Sequence, residues 1–160
     1  MATTTTREFS ADTFDINCLP APQRNTTPKQ YAEDYAKNAN CNDDPIRLFL
    51  KPHMNYTKEE FISVAYGVGL FYGAVMNNLI NGEKLDVEVE EKAAKYILHG
   101  VAKYADGTGK VSKGAIQAIS AKIALLKWLI IMHTSIGMLP GVEGIVAKTY
   151  QEHGISLNLI

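Results

Sequence analysis

Seven lysines, Lys92, Lys95, Lys103, Lys110, Lys113, Lys122 and Lys127, fall within residues 92–127, a stretch holding one acidic side chain, Asp106. Lysines in such density do one kind of chemistry well: they neutralise a polyanion, above all a phosphate backbone, with no need for a fixed geometry. The rest of the chain leans the other way. Residues 1–45 and 46–91 each carry four basic and seven acidic side chains, and the whole chain has a net charge of −1. A uniformly basic binder is therefore excluded, and a single cationic surface is not. On a helix turning about 100° per residue, Lys92, Lys95, His99 and Lys103 share one stripe, while Lys113, Gln117, Ser120, Lys127 and Thr134 share another. Two such helices joined as a hairpin would line a groove, with Tyr96, Tyr104 or Trp128 to stack on bases. The competing reading makes both stripes solvated faces. Lys122 lies on the side of Ile119, Leu125, Leu126 and Leu129, where a lysine must snorkel, pair with an acid or meet an anion. Arg47, beside Asp43 and Asp44, is either a local ion pair or a second phosphate contact.

Other chemistry finds no support in the spacing. His53, His99, His133 and His153 are too dispersed for a metal motif, and Cys18 and Cys41 are too few for a disulfide framework or a four-ligand zinc site. No cofactor is expected, and no catalytic residue. Asp106-Gly107-Thr108-Gly109-Lys110-Val111 has the centre of a calcium-binding loop, but Tyr104 and Ala115 stand where its first carboxylate and its bidentate glutamate belong. A turn between helices explains it. No serine sits in a nucleophile elbow, and Gly67-Val68-Gly69 has no lysine after it to make a phosphate loop.

The elements that would position the lysines are helices. Thr27-Pro28-Lys29-Gln30 and Thr57-Lys58-Glu59-Glu60 are capping boxes, Asp44-Pro45 repeats a start signal, and Asp86 can cap a helix with Glu88, Glu90 and Glu91 in its first turns. These predict helices from Pro28 to about Asn38, over Ile46 to Lys51, from Thr57 to Asn81-Gly82, and from Asp86 to Asp106. Two more are expected, from Lys113 to Ser135 and from Val142 to His153. Phe61 to Ile80 has no charged residue, yet its glycines, asparagines and tyrosines mark a helix wrapped by others rather than a membrane span. Ala65, Gly69 and Gly73, four apart, leave one side bare for another backbone. With no alternating run, the expected fold class is all-α: a helical bundle core.

At 160 residues and 46% apolar content, the chain is one domain that folds without staples. The division is an extended N-terminal arm over 1–27, a helical core over 28–154 and an apolar C-terminal tail over 155–160. The arm scatters Phe9, Phe14, Ile16 and Leu19 without period, so it is ordered only where it lies on something. No secretory leader is read at the N-terminus, and the two cysteines fit a reducing cytoplasm.

Arms flanking a helical core with one cationic surface resemble the layout of coat and nucleocapsid proteins of helical or filamentous RNA viruses. The likeness is architectural, carried by 1–27, 155–160 and the lysine-rich hairpin. It implies a self-assembling structural protein, not an enzyme, whose arms join neighbouring copies and whose Lys92, Lys95, His99, Lys103, Lys110, Lys113, Lys122, Lys127 and Arg47 contact single-stranded RNA. Its location would be the virion or host cytoplasm. Two other readings stand beside it: a cytoplasmic helical interaction module without nucleic acid, and a small-ligand or enzyme domain with a pocket near Lys122.

Overall fold

A computed structural model describes residues 16–50, 55–84, 86–106 and 113–138. They form a 3-10 turn at Ile16–Cys18 and five helices: α1 (Pro28–Asn38), α2 (Asp44–Phe49), α3 (Lys58–Asn81), α4 (Val87–Asp106) and α5 (Lys113–Met138). No strand occurs among the described residues, and the fold class is all-α. The expected helix over Val142 to His153, the tail 155–160, the turn around Gly107–Val111 and the first fifteen residues of the arm lie outside them.

α1, α3 and α4 start where local hydrogen bonding makes them start. At α1 the Thr27 hydroxyl accepts from the Gln30 N–H at 3.2 Å, while the Thr27 N–H donates to Gln30 Oε1 at 2.9 Å. Thr57 and Glu60 repeat this reciprocal pair at the head of α3, at 3.1 and 2.7 Å. Asp86 Oδ1 accepts from the Val89 N–H at 3.2 Å and opens α4. These bonds satisfy N–H groups that a helix leaves unpaired in its first turn. The end of α3 needs Gly82, whose φ of +68° puts it in the left-handed region.

α3 is the hub, buried from Ser63 through Ala65 and from Gly67 through Met76. Its glycines let neighbours approach on two sides. A Cβ at Gly69 would stand 2.7 Å from Ala32 Cα, on the α1 side. A Cβ at Gly67 would stand 2.7 Å from the Ala93 carbonyl, on the α4 side. Thus α1 and α4 flank α3 and leave a furrow above it. α5 closes the core with Leu125, Leu126, Leu129 and Ile130. Among the described residues, no helix is long and apolar enough to cross a membrane.

The stretch from Leu19 to Thr27 is laid on this core without helix of its own. Leu19 is buried, the Tyr72 hydroxyl donates to the Pro20 carbonyl at 2.7 Å, and the Gln23 N–H donates to the Tyr31 hydroxyl at 2.7 Å.

Candidate functional site

The helical stripe of Lys92, Lys95 and His99 comes out of the fold as the edge of a groove. Ala93, Ile97 and Val101 are buried on the opposite side of α4, so the 3.6-residue period leaves the three basic side chains exposed, on a face they share with Glu88 and Glu91. The furrow between α1, α3 and α4 has a volume of about 810 Å³. Thr27, Pro28 and Lys29 of α1 and its cap form one wall, Lys92, Lys95 and His99 the other, and Ser63, Tyr66, Leu70, Val89 and Tyr96 the floor. The second wall therefore belongs to α1, and α5 does not supply it. Lys127 of α5 reaches Glu90, on the far side of α4 from the stripe.

The floor is aromatic and held in place. The rings of Tyr66 and Tyr96 sit 4.6 Å apart, tilted by 56°, and bridge α3 to α4. Ser63 Oγ donates to the Tyr96 carbonyl at 2.7 Å, which ties the backbone under that ring to α3. Burial pushes the Tyr66 phenol above its ordinary value, with smaller contributions from Tyr96 and the Glu33 carboxylate. The phenol thus remains a neutral hydrogen-bonding group. Tyr96 is 38% exposed and offers its ring to solvent. Lys29 approaches Glu33 at 3.8 Å in an exposed pair that contributes little to stability and sets an acid beside this lysine.

The remaining expected residues are not gathered here. Lys127 is buried, with Nζ 2.7 Å from Glu90 Oε1, although Gln117 and Ser120 of its expected stripe are exposed. The difference lies in the environment along α5: Leu125, Leu126, Lys127, Leu129, Ile130 and Ile131 are all buried, so the stretch 125–131 has almost no free face. Arg47, 4% exposed, donates to the Asp44 carboxylate and the Asn42 carbonyl, with Nε unpartnered. It is the local ion pair. Neither Arg47 nor Lys127 is presented to a phosphate backbone in this fold. Lys122 is half-buried and already has an interaction partner. The side chains of Lys103, Tyr104 and Lys113, and the whole of Lys110, lie outside the described residues, and Trp128 is half-buried on α5.

Sequence reasoning missed Lys29, Ser63 and Tyr66. Nothing local marks them, since each enters the groove only because α1 and α4 cross α3 at Gly69 and Gly67. Among the described residues, no group of three His, Cys, Asp or Glu side chains is placed to hold a metal ion. No family model matches the chain, and neither the curated proteins nor the solved structures contain a match.

Proposed function

We propose that the chain is a self-assembling structural protein of coat or nucleocapsid type, holding single-stranded RNA in the groove between α1 and α4. One observation carries the RNA half of this reading. Lys29, Lys92, Lys95 and His99 rim a furrow whose floor includes the Tyr66–Tyr96 ring pair. Cations along a groove neutralise phosphates, and an exposed ring gives bases a surface on which any sequence can stack. The largely apolar floor suits an unpaired strand, whose bases are free to turn inward. Support for assembly comes from the layout of the chain, with arm and tail on either side of the helical core.

Binding of labelled oligouridylate across a salt series tests the first half. Replacing Lys92 and Lys95 by Gln should weaken binding and flatten the logarithmic salt dependence by about 0.7 for each phosphate that is no longer neutralised. An unchanged slope counts against the groove. For assembly, removal of residues 1–15 spares Leu19 and the Tyr72 to Pro20 bond, so the truncated chain should fold yet form no particles under negative stain. Particles of normal form would remove the arm from the scheme. A chain that binds no nucleic acid and forms no particles fits the interaction-module reading instead.

A further inference from the structure

We infer that the exposed face of α4 pairs antiparallel with the same face of a second copy, about a two-fold axis passing between Glu91 and Lys92. Five charged or titratable side chains occupy that face, and all are exposed: Glu88, Glu91, Lys92, Lys95 and His99. Glu90 is not among them, because it turns away to Lys127. Glu88 and Lys92 are four residues apart, as are Glu91 and Lys95, a spacing at which helical ion pairs often close. Neither pair closes within 4 Å in this fold. Both acids and both lysines are therefore available to another molecule.

Their order decides which molecule. Acids in the first turns and bases further on suit the helix dipole, and the same order makes the face complementary to itself in one orientation only. Parallel α4 helices would set acid against acid. Antiparallel helices centred between Glu91 and Lys92 set Glu88 of each copy opposite Lys95 of the other, with Glu91 and Lys92 at the axis. Such a contact is isologous and closes as a dimer. The two acids and two lysines also sum to zero, so pairing concentrates no net charge. Val87 and Tyr96, respectively 61% and 38% exposed, flank the charged strip and lose apolar surface to water when it is covered. Exposed ion pairs are weak and screened, so the dimer forms at low salt and dissociates at high salt. Lys92 and Lys95 also edge the groove, so pairing and RNA binding exclude one another; the pairing itself does not depend on the RNA reading.

The test uses the full-length chain stripped of nucleic acid, in sedimentation equilibrium at low salt, with a thermal melt of each variant to confirm folding. Glu88→Lys and Lys95→Glu should each weaken dimerisation by about tenfold or more, since each places two like-charged pairs in the symmetric contact. An equimolar mixture of the two should dimerise as the native chain does, because every facing pair is again of opposite sign. Glu88→Lys mixed with Lys92→Glu should not recover. A native chain whose association is untouched by either single exchange overturns the proposal, and so does equal rescue by Lys92→Glu. Added oligouridylate separates the two readings. If RNA binds and no α4 pairing is found, this inference alone fails; if pairing is found and RNA does not bind, the RNA reading alone fails.

Discussion

Lys127 Nζ lies 2.7 Å from Glu90 Oε1, in a partly buried ion pair that joins the middle of α5 to the first turn of α4. The lysine is 9% exposed and the glutamate 20%. Burial of a charge is expensive unless a partner is present, and Glu90 supplies one for Lys127. This contact takes one lysine out of the cationic block and one acid out of the α4 face.

Lys127→Met leaves Glu90 facing an apolar neighbour, and Glu90→Gln removes the carboxylate that faces the Lys127 ammonium. Either should cost about 2–3 kcal/mol, below the range for fully enclosed pairs because Glu90 keeps some solvent. The double substitution should recover most of the loss. Urea denaturation of the three variants reads this directly. Lys127→Gln should also leave the salt slope of RNA binding unchanged, whereas Lys95→Gln should lower it.

At Tyr96 the groove makes a different demand. Tyr96→Ala removes the exposed ring but no charge, so affinity for oligouridylate should fall by about 1–3 kcal/mol per base no longer stacked. The salt slope should stay as it was. A variant that changes the slope instead would mean that the ring acts by positioning the lysines.

Two glycines should resist substitution for opposite reasons. At Gly69 an added Cβ stands 2.7 Å from Ala32 Cα, and backbone cannot step aside as a flexible side chain can. Gly69→Ala should destabilise by about 1–3 kcal/mol, even though alanine is the better helix former by about 1 kcal/mol. At Gly82 the space is open, but φ is +68°, so Gly82→Ala should cost about 1 kcal/mol from backbone strain alone. Chemical denaturation of both variants gives the comparison.

Alkaline pH should unfold the core from the tyrosines outward. Burial, then the charge of Asp43, holds the Tyr35 phenol far above its ordinary value; burial likewise raises Tyr72, with Tyr31 adding to it. A raised acid means that folding favours the protonated form. The stability this represents is intact below the unfolded value, near pH 10, and is lost as pH rises beyond it. Of the eight tyrosines, Tyr35 and Tyr72 should ionise only as the helical signal is lost. Tyr35→Phe should lose about 1 kcal/mol at neutral pH with the bond to Asp43 Oδ2, and show a shallower alkaline decline. Tyrosinate absorbance and circular dichroism, followed together, check both.

The amino-acid sequence by itself determined where the helices begin and which way α4 faces. Thr27 with Gln30, and Thr57 with Glu60, close their hydrogen bonds within three residues, so no distant part of the chain takes part. The stripe of Lys92, Lys95 and His99 follows in the same way from the helical period and the apolar residues between them. Only the tertiary structure decided what that stripe faces. The local pattern of α5 puts Lys127 with Gln117 and Ser120, yet one is buried and two are exposed, because crowding changes along the helix. Ala65, Gly69 and Gly73 marked one bare side of α3, but Gly67, on another side, admits α4 as closely as Gly69 admits α1. From those two crossings come the groove, its α1 wall with Lys29, and the meeting of Tyr66 with Tyr96. Hydrogen bonds across one helical turn are written in neighbouring residues; burial depends on which distant faces meet, and that is settled only when the whole core packs.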